Sequence, residues 1–335
     1  MVKKFVYGTP FETEAVVKEI PSSEGNPDYG TFSTENGFSF TTKLADEDMV
    51  FGLGEANRGI NKRGFLYISD CADDPNHVES KTSLYAAHNF IIISGKTHVG
   101  FFFDYPGTLR FDIGYTTSDT MTVSCENADL YVYMITGDSD LDIVKQFRGI
   151  IGRSYIAPKF AFGYGQSRWG YKTEDDFRTV VKKYRENHVP LDMVYMDIDY
   201  MQDYKDFTVN EERFPDFEGF VQDMKKEKIH LVPIIDAGVK VEEGYDIYEE
   251  GCEKGYFCRR EDGSYFEATV WPGWTHFPDV LNADARKWFG DKYDVLVSKG
   301  IDAFWNDMNE PSIFYSQEGL ADFKETAKKY VEGDP

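Results

Sequence analysis

Residues Trp305–Ser312 read WNDMNEPS, and they set a carboxylate, Asp307, directly behind an apolar run of Ile301, Ala303, Phe304 and Trp305 that starts after Gly300. A short apolar run opened by glycine has the pattern of a strand buried on both faces of a parallel sheet. Asp307 would then lie at that strand's C-terminal end, where barrels and open α/β sheets carry their chemistry. The competing reading is a surface aspartate followed by a turn at Asn309–Pro311.

Three upstream runs end in the same way. Phe160–Tyr164 is followed by Gln166, Arg168 and Trp169, Met193–Met196 by Asp197 and Asp199, and His230–Ile235 by Asp236. Helical patterns separate them. Thr173 and Asp176 form a capping-box-like start to a helix with an apolar stripe at Phe177, Val180, Val181 and Tyr184. Phe217, Phe220, Val221 and Met224 mark the next helix, and Trp288, Phe289, Tyr293 and Leu296 the one before Gly300. An insertion around 237–280 carries turn signals at Glu261-Asp262-Gly263 and Trp271-Pro272-Gly273. Four strand–helix units in register imply a parallel sheet, so 156–335 is expected to form the first half of a (β/α)₈ TIM barrel, closing with an amphipathic segment at Leu320–Val331.

Residues 1–155 have another rhythm. Alternating runs at Gly30–Thr42, Phe65–Ser69, Asn89–Ser94, His98–Asp104, Thr120–Ser124 and Asp129–Ile135 are broken by turn signals such as Glu35-Asn36-Gly37 and Tyr105-Pro106-Gly107. That pattern predicts an antiparallel β-sandwich, hence a multidomain β plus α/β chain. A length of 335 residues accommodates both units.

The net charge of −23 opposes nucleic acid and anionic membrane surfaces as partners and favours a neutral or cationic ligand. No window approaches the roughly 20 apolar residues of a membrane span, and the N-terminus lacks a secretory pattern, so a cytoplasmic location is expected. Cys71, Cys125, Cys252 and Cys258 show no metal-binding spacing; they read as reduced thiols, with no metal and no cofactor expected. Aromatic residues make up 16% of the chain, enough both for a large core and for stacking against sugar rings.

A parallel barrel gathers strand ends around one mouth, so Asp197, Asp199, Asp236 and Asp307 would become neighbours. Such a cluster suits glycosidic bond cleavage, and by spacing alone it would equally suit a divalent metal. The motifs themselves go further. WNDMNEPS, YMDIDYM at Tyr195–Met201, FTVNEERFPD at Phe207–Asp216, VPIIDAG at Val232–Gly238, VWPG at Val270–Gly273 and FGLGE at Phe51–Glu55 resemble, in order, the blocks of glycoside hydrolase family 31, best known for retaining α-glucosidases.

The resemblance implies a galactose-mutarotase-like sandwich followed by a catalytic barrel. It makes Asp307 the nucleophile and Asp197 a ligand of sugar hydroxyls, with Ile198, Ile234, Trp271, Trp305 and Met308 as apolar walls. Trp169 would stand on the leaving-group side, and Asp73, or alternatively Asp74, would be an acidic residue supplied by a sandwich loop. Asp199, Asp236 and Glu310 are left to supporting or turn roles, and Arg168 is the candidate cation for keeping Asp307 ionised.

The implied substrate is a small oligosaccharide with terminal α-linked glucose. The family's general acid/base lies on a later strand, so the chain is expected to need the C-terminal half of the barrel and to be inactive alone. Competing readings are an α-xylosidase or other α-glycosidase of the same family, an α-glucan lyase, a non-catalytic carbohydrate-binding fragment and, last, a metal-dependent barrel enzyme.

Overall fold

The computed structural model describes residues 1–71 and 75–319, and the chain divides into one unit over Met1–Tyr155 and a second that begins at Ile156. The first unit contains β1 (Val2–Tyr7), β2 (Thr31–Ser33), β3 (Phe38–Lys43), β4 (Met49–Gly52), β5 (Phe65–Ser69) and β6 (Phe90–Ser94). β7 (His98–Asp104), β8 (Leu109–Ile113), β9 (Thr120–Cys125), β10 (Leu130–Gly137) and α1 (Asp140–Ile151) complete it. They form two five-stranded antiparallel sheets, ordered β1-β10-β7-β6-β4 and β2-β3-β9-β8-β5. The predicted sandwich is therefore present, with β1, β4 and β8 as additional strands.

Alternation builds its core. Phe38 and Phe40 on β3, Phe101 and Phe103 on β7 and Phe111 on β8 all point inward and are buried. The rings of Phe40 and Phe101 approach to 4.7 Å. β6 is apolar on both faces because Ile92 faces a second cluster with Tyr133, Ile135 and the α1 residues Ile143 and Ile150.

The second unit opens with a departure from expectation. Phe160–Tyr164 is not the first strand: Lys159–Phe162 is a 3₁₀ turn entered from Pro158, and the ladder starts with β11 (Gly165–Gln166). Phe160 stacks on the His230 ring at 3.5 Å, whereas Phe162 is 78% exposed, so the apolar spacing there does not report a buried strand.

α2 (Glu174–Glu186), β12 (Met193–Met196), α3 (Phe217–Lys226) and β13 (His230–Asp236) follow. The insertion holds β14 (Val239–Lys240), α4 (Asp246–Lys254), β15 (Glu267–Val270) and β16 (Gly273–His276). α5 (Ala283–Lys292) and α6 (Asp294–Val297) then lead to β17 (Trp305–Asp307) and β18 (Tyr315–Ser316). The parallel sheet is ordered β11-β12-β13-β17, as four consecutive barrel strands would be. The insertion folds into a separate antiparallel sheet, β14-β16-β15-β18. Its last strand belongs to the segment after Asp307.

The fourth barrel strand is shorter than its apolar run suggests. Residues 301–304 lie outside the ladder, and Asp302 is held by His230 Nδ1 at 3.0 Å. Pairing starts at Trp305 opposite Ile234, which leaves Asp307 as the strand's last residue. The predicted segment at Leu320–Val331 lies outside the described residues.

Candidate active site

Three parallel strands deliver three carboxylates to one rim. Asp307 ends β17 and is in register with Asp236, which ends β13. Asp197 follows β12 and caps the 3₁₀ turn Ile198–Tyr200, its Oδ1 accepting the Ile198 N–H at 2.8 Å. Asp197 and Asp307 are half-buried, open enough to meet a ligand, while Asp236 is only 2% exposed.

Beneath the rim lie further acids. Asp199 and Asp206 are both buried. Arg213 Nη1 donates to the Asp199 carbonyl at 2.9 Å and stands 3.7 Å from its Oδ1. Asp206 Oδ1 accepts the backbone N–H of Asp236 at 3.0 Å. Burial, then the negative charges of Asp307 and Asp197, push the Asp236 carboxyl up to about 7. Burial also raises Asp197, an effect that the Ile198 N–H opposes and that Asp199 and Asp307 reinforce.

Three of the residues expected as apolar walls lie on these strands or directly after them. Ile198 and Ile234 are buried, and Trp305, half-buried, meets Tyr195 edge-on at 6.0 Å. Trp271 occupies the two-residue turn between paired Val270 and Gly273, the latter at φ 96°, a conformation open to glycine. From that tip Trp271 contacts the Phe314 ring edge-on at 4.9 Å.

Met308 is buried with Ala268, Val270, Phe277, Ile313 and Phe314, yet it carries φ 57°. A left-handed backbone costs a non-glycine residue on the order of 1 kcal/mol or more, and it persists where packing over-determines it. The packing is visible: Phe314 N donates to Thr269 O at 2.9 Å, and β18 pairs with β15. The insertion sheet thereby grips the segment that leaves Asp307.

Trp169 lies in a turn just after β11 and is 62% exposed. Arg168 is exposed and, among the described residues, forms no ion pair, so it does not supply the counter-charge expected for Asp307. Asp73 and Asp74 lie outside the described residues. Asp206 and Arg213 were not singled out from sequence; Asp206 sits in the polar stretch Gln202–Asp206, whose composition is that of an exposed loop. Among the described residues no three His, Cys, Asp or Glu side chains gather as a metal site, and no helix is long and apolar enough to cross a membrane.

Residues 154–333 match the Glycosyl hydrolases family 31 TIM-barrel domain, and residues 11–112 the Glycosyl hydrolase 31 N-terminal galactose mutarotase-like domain. Alpha-glucosidase 2 of Bacillus thermoamyloliquefaciens is 38% identical over 277 residues, 81% of this chain and 35% of that protein. An alpha-glucosidase of Saccharolobus solfataricus is 28% identical over 93% of this chain and 46% of its own length. The crystal structure of a Family 31 alpha-glucosidase from Bacteroides thetaiotaomicron superposes with a TM-score of 0.77 at 25% identity, covering 90% of this chain and 53% of that one. The chain thus spans less than half the length of both curated relatives.

Proposed function

The chain belongs to glycosyl hydrolase family 31, and on that premise we propose that it carries the nucleophile half of a retaining α-glycosidase, an α-glucosidase acting on terminal non-reducing α-linked glucose. The observation that carries this reading is the placement of Asp307 at the last position of a parallel strand, with Asp197 at the end of the strand two places along the sheet.

A carboxylate oxygen of Asp307 bonds to the anomeric carbon as the glycosidic C–O bond breaks, and water later releases the sugar from the covalent ester. Asp197 accepts hydrogen bonds from sugar hydroxyls while Ile198, Ile234, Trp271, Trp305 and Met308 cover the ring's apolar faces. Trp169 limits the leaving-group side. The leaving oxygen needs a proton from a carboxylic acid about 5 to 5.5 Å from the nucleophile, a role to which no residue of this chain is assigned.

A parallel sheet of four strands among the described residues, together with the 35% and 46% coverage of the relatives, supports the inference that turnover requires the rest of the barrel. Four free cysteines favour a reducing compartment, and we place the protein in the cytoplasm. The test is to trap a form carrying all eight barrel strands with a 5-fluoro-α-glucosyl fluoride and map the labelled peptide. Label on Asp307 is expected; label on another residue overturns the assignment.

A further inference from the structure

Asp206 and Asp236 form a pair of carboxyl groups that the chemistry above does not use. They are 1% and 2% exposed. Of their four side-chain oxygens, only Asp206 Oδ1 has a hydrogen-bond partner, the Asp236 backbone N–H; Asp206 Oδ2 and both Asp236 oxygens have none. Two unpaired carboxylates buried side by side would each bear a large desolvation cost and repel one another.

Among the described residues, the surroundings supply no positive charge. Asp236 is faced by the acids Asp307 and Asp197, and Asp206 by Asp236. Tyr200, Tyr245 and Tyr293 stand around Asp206. The Tyr200 hydroxyl donates to Ile234 O and the Tyr245 hydroxyl to Asp206 O, both at 2.8 Å, so neither reaches a carboxylate. Lys205 is drawn to Glu242 at 2.6 Å, as is Lys240 at 2.7 Å, and Arg213 is held on Asp199. Among the described residues, what remains to neutralise the two carboxyl groups is a proton on each.

We propose that Asp206 and Asp236 are both protonated while Asp307 is ionised, and that this uncharged floor is a positioning device that keeps the negative charge of the site on Asp307. This rests on the reading of Asp307 as nucleophile. Asp236 is in register with Asp307 on the neighbouring strand. A second full charge there would push Asp307 toward protonation, and a neutral carboxyl avoids this. Burial, then the charge of Asp236, raises the Asp206 carboxyl well above the ordinary carboxylate range, and burial with the charges of Asp307 and Asp197 raises Asp236 to about 7.

The experiment is a spectroscopic titration of the chain, reading the infrared C=O stretch of protonated carboxylic acids and the ¹³C carboxyl resonance of Asp307 from pH 4 to 9. In the wild type protonated-acid bands are present above pH 6, and one of them fades near pH 7; Asp206→Asn and Asp236→Asn each remove a band, Asp236→Asn the one that fades near 7. The Asp307 resonance shows a further step near pH 7, lost in Asp236→Asn. Absence of any protonated-acid band in the wild type above pH 6, its survival in both variants, or an Asp307 titration indifferent to Asp236→Asn would each overturn the proposal. The wild-type spectrum decides the first point even where a variant does not fold. Labelling of a residue other than Asp307 by the fluoro sugar would instead unseat the nucleophile assignment, a result that leaves these bands unchanged.

Discussion

The two units bury different kinds of residue. The sandwich interior is ring against ring, with Phe38, Phe40, Phe101, Phe103 and Phe111 in one cluster, and its buried Lys62 donates to the carbonyls of Ala56, Asn57 and Gly59. The barrel half has an equally apolar core, yet at the strands' C-terminal ends it buries Asp199, Asp206 and Asp236, most of whose outer oxygens have no partner. The sandwich also buries Asp104 and Asp112, but each accepts a threonine hydroxyl, from Thr13 and Thr116, whereas the barrel half gathers its buried acids at one rim, where burying carboxyl groups together costs stability.

The comparison breaks most visibly at Asp307. In a form with a complete barrel, Asp307→Asn removes the attacking oxygen's charge, and hydrolysis of an aryl α-glucoside is expected to fall by on the order of 10⁴-fold or more. Retention of more than a few per cent of wild-type turnover would mean that the acidic rim serves some other purpose. Folding should be indifferent, since Asp307 is only half-buried.

The sandwich should respond in the opposite way. Phe101 is buried against Phe40 and Phe103. Truncation to alanine removes a ring from a close-packed interior and should cost about 3 to 5 kcal/mol of that unit's stability. Differential scanning calorimetry would show one transition lowered; a loss below about 1 kcal/mol would contradict a tightly packed aromatic core.

Asp236→Asn sharpens the contrast within the barrel half. Because the carboxyl is raised to about 7 in the folded protein, the wild type's advantage from its neutral acid is complete below the unfolded value near 4 and lost as pH rises through 7. The variant carries no such charge, so its stability relative to wild type should climb over that interval and level off above it, by about 2 to 4 kcal/mol in all. The slope is the quantity to measure, since the unpartnered amide adds a pH-independent cost. A flat difference from pH 4 to 8 would remove the argument from burial.

The legibility of the chain follows the same divide. Period-two alternation made Phe65–Ser69 and His98–Asp104 readable as strands, and the apolar run made Met193–Met196 readable as a barrel strand; each matches the ladder. β1, with two lysines in VKKFVY, and β8, with Arg110 and Asp112 in LRFDI, were hidden because charge at strand positions masks the alternation. Phe160–Tyr164 misled because one ring stacks on His230 and another faces outward, contacts that depend on a residue 70 positions away. Asp197 and Asp307 could be found from motif and strand end together. Asp206 could not, since its burial is made by Asp236 and Tyr245, 30 and 39 residues distant.

The smallest expected effect tests a feature that sequence did reveal. Thr173 caps α2 through a reciprocal pair: its Oγ1 accepts the Asp176 N–H at 3.3 Å, and Asp176 Oδ2 accepts the Thr173 N–H at 2.9 Å. Asp176 Oδ2 also takes the Lys172 N–H at 3.0 Å, so three donors at the helix entry depend on two side chains. Thr173→Ala deletes one acceptor and leaves the Asp176 carboxylate in place, which limits the loss to about 1 kcal/mol. Hydrogen exchange at the first turn of α2 is the sensitive readout, and the Asp176 amide should exchange about 5-fold faster, the change that a loss of this size implies. The sandwich offers a built-in control, because Ser139 caps α1 through a single bond to the Asp142 N–H and its exchange should be unaffected by the substitution. A change at both helices would show that the two units do not open independently, and the contrast between an aromatic sandwich core and an acid-lined barrel rim would then have to be drawn for the chain as a whole.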